Sequence, residues 1–393
     1  MGCEDDMAMF LNSIVPFESY KETVSDTYFV DKSLLLRELM PALGRKNRYF
    51  CITRPRRFGK SVMANMVGAF FGKAVDARAL FDKLKISADK DYAAHLNKYN
   101  VIFIDFSKMP ENCDSYQAYI TRITENLKGD LLQAYPELKL DRDKPVWDMF
   151  LNVFQETRDR FIFVMDEWDA VFHQSFISQD MQKEYLLFLK NLLKDQVYVE
   201  LAYMTGVLPI AKYSSGSELN MFLEYDMATK KKFSEYFGFL DYEVAELFDI
   251  YQTVTEKPEI SIEDLRLWYD GYYTAGGNCI YNPRSIVCAL TDNELANYWT
   301  SSGPYDEIFY YIRNNIEAVR DDLVLMAAGE GVNAEIQNFA AVSMELNSKD
   351  EIYSAMVVYG LLTYIDGKVF IPNREIMEQF KKLLMSKISE LKN

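Results

Sequence analysis

The chain has 393 residues, 49% of them hydrophobic, so it is long enough to bury a large core and to form two or three domains. It carries 59 acidic and 43 basic residues, and its net charge of −16 argues against an extended surface for nucleic acid or for anionic membranes. A local basic patch remains compatible with that charge. Only His95 and His173 are present, which excludes a histidine-rich metal site and argues against a Ser-His-Asp triad.

The sequence contains no targeting or membrane signal that we can recognise. No run approaches the roughly 20 apolar residues of a membrane span, and the first residues are acidic, unlike a secretory signal. Five cysteines without CxxC spacing are typical of reduced thiols. These features predict a soluble cytoplasmic protein that does not contact the membrane.

In chain order, residues 1–27 form a lead-in, followed by Tyr28-Phe-Val-Asp-Lys-Ser33. A short helix is predicted from Leu34 to Leu43, and Asp31 or Ser33 could cap it.

The next segment has the order strand, turn and helix that surrounds a phosphate-binding loop. Residues 48–53 are aromatic and β-branched, a turn ends in Gly59-Lys60-Ser61, and apolar residues then recur at helical spacing. Backbone N–H groups at such a helix start attract phosphate. The expected nucleotide contacts are Arg54, Pro55, Arg56, Arg57, Phe58, Gly59, Lys60, Ser61 and Val62.

Within this P-loop, Lys60 is expected to be an exposed lysine that reaches the β- and γ-phosphates of ATP, and the Ser61 hydroxyl is expected to bind Mg²⁺. Arg54 stands where the motif has its first glycine, a position that favours unusual dihedral angles and close approach to phosphate. On these residues alone, a helix start that merely reads Gly-Lys-Ser is the alternative.

Two adjacent carboxylates support the P-loop interpretation. Residues 101–106 form a continuous apolar strand and a helix follows from Ser115 to about Tyr135; a second apolar strand, from Phe161, ends in Asp166 and Glu167. Asp166 is expected to order the Mg²⁺ ion, and Glu167 to act as the catalytic base that deprotonates the attacking water. Asp169 is expected to be a helix cap or a surface carboxylate.

A helix at 184–194 and a strand at 197–204 come next, and the strand ends in Thr205-Gly206. This end, with Ser214, Ser215 and Asn220, could sense the γ-phosphate or could simply form a turn. A fifth strand at 223–228 completes an α/β core, a parallel sheet flanked by helices.

The character of the chain changes near residue 240. We predict three parts: a core at 1–240, a helical lid at 241–304 and a C-terminal α+β domain at 305–393. The last part contains two apolar segments on either side of Asp366-Gly367, which indicates a hairpin and is compatible with a winged-helix-like arrangement.

Several segments together resemble the AAA-ATPase-like family of bacteria and archaea. They are VDKS (30–33), TRPRRFGKS (53–61), the DEWD stretch, TG with SSGSELN (205–220), WYDGY, YNPRS and GLLTYIDGKVFIPNREI. The resemblance runs from about residue 13 to residue 377. It implies a P-loop NTPase core, and the family itself carries arginine at the position of Arg54. The family usually has an aromatic residue where this chain has Arg284.

In that family a PD-(D/E)xK nuclease-like domain often follows the ATPase module. This chain ends at Asn393, and the residues after IPN are too few to hold such a domain. We therefore weigh three functions: a Mg²⁺-dependent ATPase whose turnover changes the domain arrangement, a nucleotide-dependent switch or scaffold that recruits a protein partner, and a nucleic-acid enzyme. The tandem carboxylates favour the first. Given the net charge, we expect no binding of duplex DNA tighter than roughly 10⁻⁴ to 10⁻⁶ M.

Two further expectations concern the surroundings of the nucleotide. The base or ribose is predicted to lie between the segment from Tyr28 to Asp31 and the region of Pro283; the alternative is that Pro283 simply occupies the first position of a helix. An arginine finger could come from any of four residues, although at least two of them are expected to form only surface ion pairs. The four are Arg54, Arg56, Arg57 and Arg284.

Overall fold

A computed structural model of the chain describes residues 8–111, 113–210, 218–299, 318–336 and 348–390, and for 383–390 it describes the backbone alone. The predicted positions Ser214 and Ser215 lie outside the described residues.

Residues 49–225 contain a five-stranded parallel sheet in the order β2-β3-β4-β1-β5. Its strands are β1 (Tyr49–Thr53), β2 (Asn100–Asp105), β3 (Phe161–Asp166), β4 (Val199–Gly206) and β5 (Leu223–Tyr225). The sheet confirms the prediction of a parallel α/β core, a P-loop NTPase fold.

Helices cover both faces of this sheet. They are α1 (Val15–Val24), α2 (Leu35–Leu39), α3 (Lys60–Phe71), α4 (Arg78–Phe81), α5 (Tyr92–His95), α6 (Tyr116–Ala134), α7 (Val146–Thr157) and α8 (Gln179–Leu193). Successive residues of a strand point to opposite faces. In β3 the residues Phe161, Phe163 and Met165 pack with α6, α7 and α8. Ile162 and Val164 pack on the other face with α2 and α3. The continuous apolar strands therefore serve two cores.

The described residues after β5 form further helices and short strands. They are β6 (Phe239–Leu240), α9 (Asp241–Val254), α10 (Ile262–Tyr269), β7 (Tyr272–Tyr273), β8 (Cys279–Tyr281), α11 (Pro283–Asp292), α12 (helical residues 318–327), β9 (Val332–Asn333), α13 (Lys349–Val358), β10 (Thr363–Ile365), β11 (Lys368–Phe370) and α14 (Arg374–Glu390). Two antiparallel sheets form, in the orders β6-β8-β7 and β10-β11-β9. The β10–β11 hairpin turns at Asp366-Gly367, as predicted.

The predicted cap of the short helix is wrong. Leu34 occupies the N-cap position of α2 without a side-chain hydrogen bond. The Asp31 carboxylate instead accepts from the Lys85 N–H at 2.6 Å, and the Ser33 hydroxyl accepts from the Ile86 N–H at 3.1 Å. Both side chains therefore fix the segment after α4 rather than the helix that follows them.

No helix within the described ranges is long and apolar enough to cross a bilayer. The four cysteines that the structure describes (Cys51, Cys113, Cys279 and Cys288) are free thiols.

Candidate functional site

The loop after β1 and the carboxylates after β3 lie at the same edge of the sheet. Strand β4 separates β1 from β3, and all three run in the same direction. Thr53 at the end of β1 is paired with Gly206 at the end of β4. In open α/β sheets ligands bind at this carboxyl edge, and the sequence-predicted P-loop and Asp166 meet there.

Helix α3 starts directly after the loop, and the space beside Gly59 at this helix start is open. Gly59 has φ +86°, a left-handed conformation, and apart from its chain neighbours no atom of the described residues lies within 4 Å of where its Cβ would be. Helix α3 begins at Lys60, and the Met63 N–H donates to the Gly59 carbonyl at 3.0 Å. The space beside Gly59 and the unpaired N–H groups of a helix start fit a phosphate group.

Lys60 is buried, with only 4% of its surface exposed, so the expectation of an exposed loop lysine is wrong. Its ammonium donates to the Pro55 carbonyl at 3.2 Å and lies 3.8 Å from the Glu167 carboxylate. A buried charge needs such partners because burial without them is costly. The loop carbonyl holds Lys60 beside the open space at Gly59.

Asp166 is joined to helix α3 and to strand β4 through two hydroxyl groups. It accepts hydrogen bonds from Ser61 at the start of α3 and from Thr205 at the end of β4. Burial raises the pKa of Asp166, while the two hydroxyls and then the Lys60 ammonium act in the opposite direction. The bond between Thr205 and Asp166 was not predicted. The only hint in the sequence was the polar residue Thr205 near the end of β4, and the sheet order is needed to know that β4 lies beside β3.

Glu167 lies just beyond β3 in an uncommon backbone conformation, with φ +52°. Such a conformation is strained for a residue with a side chain and is often found at functional sites. Burial raises the pKa of Glu167; the Lys60 charge opposes that rise, and Asp169 and Asp166 add to it. A carboxylate with a raised pKa beside a phosphate-binding loop is suited to accept a proton from water.

Asp169 is not the helix cap or surface carboxylate that we expected. It is buried, with 1% of its surface exposed, and it caps nothing through its side chain. One carboxylate oxygen accepts from the Val207 N–H at 3.0 Å and from the Leu208 N–H at 2.7 Å. Asp169 therefore holds the turn after β4, and its carboxylate lies so close to Gly206 that a Cβ atom there would be 2.6 Å from Oδ1.

The Arg54 side chain is buried in contacts that join strands of the sheet. Its guanidinium donates to the carbonyls of Thr53 at 2.7 Å and Tyr225 at 2.8 Å, and it lies 5.0 Å from the centre of the Phe237 ring. Burial lowers the pKa of Arg54 to about 10. Its side chain joins β1 to β5 and is neither a surface ion pair nor directed to the space beside Gly59, so its role as an arginine finger has no support here.

Asn220 does not lie at the carboxyl edge, and its predicted role as a γ-phosphate sensor is wrong. Its side-chain oxygen accepts from Lys194 at 2.8 Å, just after α8. Leu223 is paired with Phe50 near the beginning of β1. The segment around Asn220 thus lies at the opposite edge of the sheet from Thr205.

Tyr28 and Pro283, which were predicted to enclose the base, lie at different ends of helix α11. Tyr28 is buried and its hydroxyl donates to the Leu290 carbonyl at 3.4 Å, near the end of α11. Pro283 is the first residue of α11, and the Asn282 side chain caps that helix. Arg284 is exposed. The helix-start role of Pro283 is therefore observed, and a contact of Tyr28, Asp31 or Pro283 with the base stays a prediction.

The sheet order and the loop geometry define a P-loop ATPase fold. A family model described as Predicted AAA-ATPase matches residues 14–215, just over half of the chain. The chain belongs to this AAA-ATPase-like family.

Individual relatives are distant. A protein of Azotobacter chroococcum mcd 1, described as an uncharacterized protein in the vnfD 5' region, is 23% identical over 286 residues, which are 71% of this chain and 51% of that protein. The chain thus spans about half the length of this curated relative.

Two solved structures align over most of the chain. The Walker-type ATPase PABY2304 of Pyrococcus abyssi has a TM-score of 0.43 and 14% identity, covering 88% of this chain and 93% of that chain. The ORC2 protein of Aeropyrum pernix, in ADPNP-ADP complexes, has a TM-score of 0.40 and 11% identity, covering 98% of each chain.

Proposed function

We propose that the protein binds ATP with Mg²⁺ at the carboxyl edge of the sheet and hydrolyses it to ADP and phosphate. The observation that carries this proposal is the grouping of four side chains from two sequence segments about a hundred residues apart. Lys60 lies 3.8 Å from Glu167, and the Ser61 hydroxyl bonds to Asp166. P-loop ATPases use these residue types to bind the phosphates, the metal and the attacking water.

The donor set suits Mg²⁺. Within the described residues no group of three or more His, Cys, Asp or Glu side chains is arranged to hold a metal. Mg²⁺ is bound by a few oxygen ligands together with substrate phosphates and water, and Ser61 and Asp166 offer one hydroxyl and one carboxylate. When bound there, the ion would neutralise charge on the β- and γ-phosphates.

The hydrolytic step needs a proton acceptor, and we assign that role to Glu167. Water attacks the γ-phosphorus while Glu167 accepts a proton from it; the bond from the γ-phosphorus to the bridging oxygen breaks, and ADP leaves with that oxygen. Lys60 exchanges the Pro55 carbonyl for phosphate oxygens. The remaining nucleotide contacts that we propose are main-chain groups of the loop residues Arg54, Pro55, Arg56, Arg57, Phe58, Gly59 and Val62, together with Tyr28, Asp31 and Pro283 around the base or ribose.

The direct test is Lys60→Ala. Titration calorimetry with MgATP should give binding by the wild-type chain and none by the variant. Because the lysine is buried beside two carboxylates, the variant should also lose some stability, so its fold is checked by circular dichroism at the temperature of the titration. Wild-type affinity in a folded Lys60→Ala variant contradicts the assignment of this loop.

A further inference from the structure

The phosphate-binding loop also forms an interface with the residues from Met227 onward, which we call the C-terminal half. Phe58 is fully buried in a cluster whose other buried members, among the described residues, all come from Met227 onward. Its ring lies 5.0 Å from that of Tyr272, edge to face. Trp299 and Leu361 belong to the same cluster. A residue of the P-loop is therefore part of another core.

Arg57 makes a second contact across this interface. Its guanidinium donates to the main-chain carbonyl of Tyr298. The Glu375 carboxylate, which interacts electrostatically with Arg57, accepts from the Tyr298 and Trp299 N–H groups, each at 2.8 Å, and from the Ser285 hydroxyl at 2.9 Å. Glu375 thus fixes the segment whose carbonyl holds Arg57.

Pro55 makes the third contact, against Gly360. A Cβ atom added to Gly360 would lie 2.8 Å from the Pro55 Cβ and 3.2 Å from its Cγ. The Tyr272 hydroxyl donates to the Gly360 carbonyl at 3.1 Å. Pro55, Arg57 and Phe58 therefore all touch the C-terminal half.

The loop needs such support because its own sequence does not favour its shape. Arg57 has φ +72°, a conformation that is unfavourable for a residue with a side chain and persists where the surroundings impose it. Glycine is absent from the position of Arg54, where the usual motif relies on it. Contacts from outside the loop can therefore stabilise backbone conformations that its own residues do not favour.

We propose that the C-terminal half holds the P-loop in its phosphate-binding conformation through Pro55, Arg57 and Phe58, and thereby sets the affinity for ATP. This inference rests on the proposed function of the loop. Pro55, Arg57 and Phe58 act as positioning residues through their contacts with Gly360, Tyr298 and Tyr272. Because linkage is reciprocal, ATP binding must strengthen the same contacts.

Two glycines provide a matched test. Gly360 has φ +79° and Gly367 has φ +78°, so alanine is similarly strained at both. A Cβ at Gly360 meets Pro55, whereas a Cβ at Gly367 would have no described atom within 4 Å other than those of its chain neighbours. Gly360→Ala should weaken MgATP binding on the order of 5- to 150-fold in calorimetry, the usual range of coupling between sites. Gly367→Ala should bind like the wild type. Equal affinities in the two folded variants overturn the inference.

Amide hydrogen exchange gives a second test that uses only the wild-type chain, so no substitution can perturb the fold. Saturating MgATP should slow exchange at Gly360, Leu361 and Leu362 more than at Lys368, which is exposed in the β10–β11 hairpin. ATP binding without this difference overturns the inference and leaves the proposed function intact. No ATP binding by the wild-type chain overturns both.

Discussion

The Thr205 hydroxyl at the end of β4 donates a hydrogen bond to the Asp166 carboxylate at the end of β3. Thr205 is completely buried, and Asp166 nearly so. With the Ser61 hydroxyl on the other side, Asp166 is fixed between the P-loop helix and the central strand. A carboxylate held in this way keeps its orientation without a bound ligand.

Thr205→Val tests the importance of that orientation. Valine has nearly the same shape but no hydroxyl, so Asp166 loses a donor while the packing is kept. Hydrogen bonds to charged groups contribute about 1.5–3 kcal/mol, and we expect MgATP affinity to fall by roughly 10- to 100-fold. Titrations of ATP with and without Mg²⁺ measure it, and the loss should be confined to the Mg²⁺ series. Thr205→Ser retains the hydroxyl and should remain close to wild type. An equal loss without Mg²⁺ contradicts this role.

Asp169→Ala should destabilise the fold. The substitution removes the acceptor of the Val207 and Leu208 N–H groups, both in the turn after β4. Leaving buried donors unpaired costs about 1–3 kcal/mol for each group. Chemical denaturation should show a lower midpoint with an unchanged slope. A variant as stable as the wild type would mean that water replaces the carboxylate.

Glu375 should make stability depend on pH. Burial raises its pKa from 4.5 to about 7, opposed by the Trp299 N–H, the Ser285 hydroxyl, the Tyr298 N–H and the Arg57 charge. Because the folded-state pKa is above the unfolded one, the native state binds this proton more tightly. The stabilisation from this group is therefore fully present below pH 4.5 and is lost as the pH rises towards 7.

The Glu375→Gln variant has an amide in place of the carboxyl group, so position 375 no longer takes up or releases a proton. The amide oxygen can accept from the Tyr298 and Trp299 N–H groups, and the amide nitrogen can donate to Ser285. Relative to the wild type, the variant should gain on the order of 3 kcal/mol in free energy of unfolding between pH 4.5 and pH 8. Glu378→Gln, partly exposed on the same helix, controls for general loss of charge. Parallel pH profiles for wild type and Glu375→Gln would refute the role of Glu375.

The sequence predicted the parts of the structure that depend on local patterns. Continuous apolar segments identified β2 and β3, and the Gly59-Lys60-Ser61 turn identified the start of α3. The burial of Lys60 and Asp169 could not be predicted, because it depends on the fold: only the sheet order brings Glu167 near Lys60 and the turn at Val207 near Asp169. Asn220 was misplaced for a related reason: the pattern did not show that the chain returns to the opposite edge before β5.

The loop side chains illustrate the same limit at longer range. Arg54, Arg57 and Phe58 were interpreted from the P-loop motif alone, as contacts for a nucleotide. Arg54 contacts Tyr225, 171 residues away in the sequence, and Arg57 contacts Tyr298, 241 residues away. The ring of Phe58 packs against Tyr272 in β7. No local pattern encodes a contact of this separation.

Phosphate release from ATP by the wild-type chain and by Glu167→Gln tests the central claim most directly. Glutamine keeps the size of the side chain but cannot take the proton from water, so turnover should fall by about 10²- to 10⁴-fold while MgATP still binds. Asp166→Asn should weaken binding as well as rate, and Glu156→Gln, exposed on α7, should change neither. Measurable wild-type turnover that Glu167→Gln matches would contradict the assignment of the base. Tight ATP binding without any wild-type turnover would contradict the ATPase and favour a nucleotide-dependent switch.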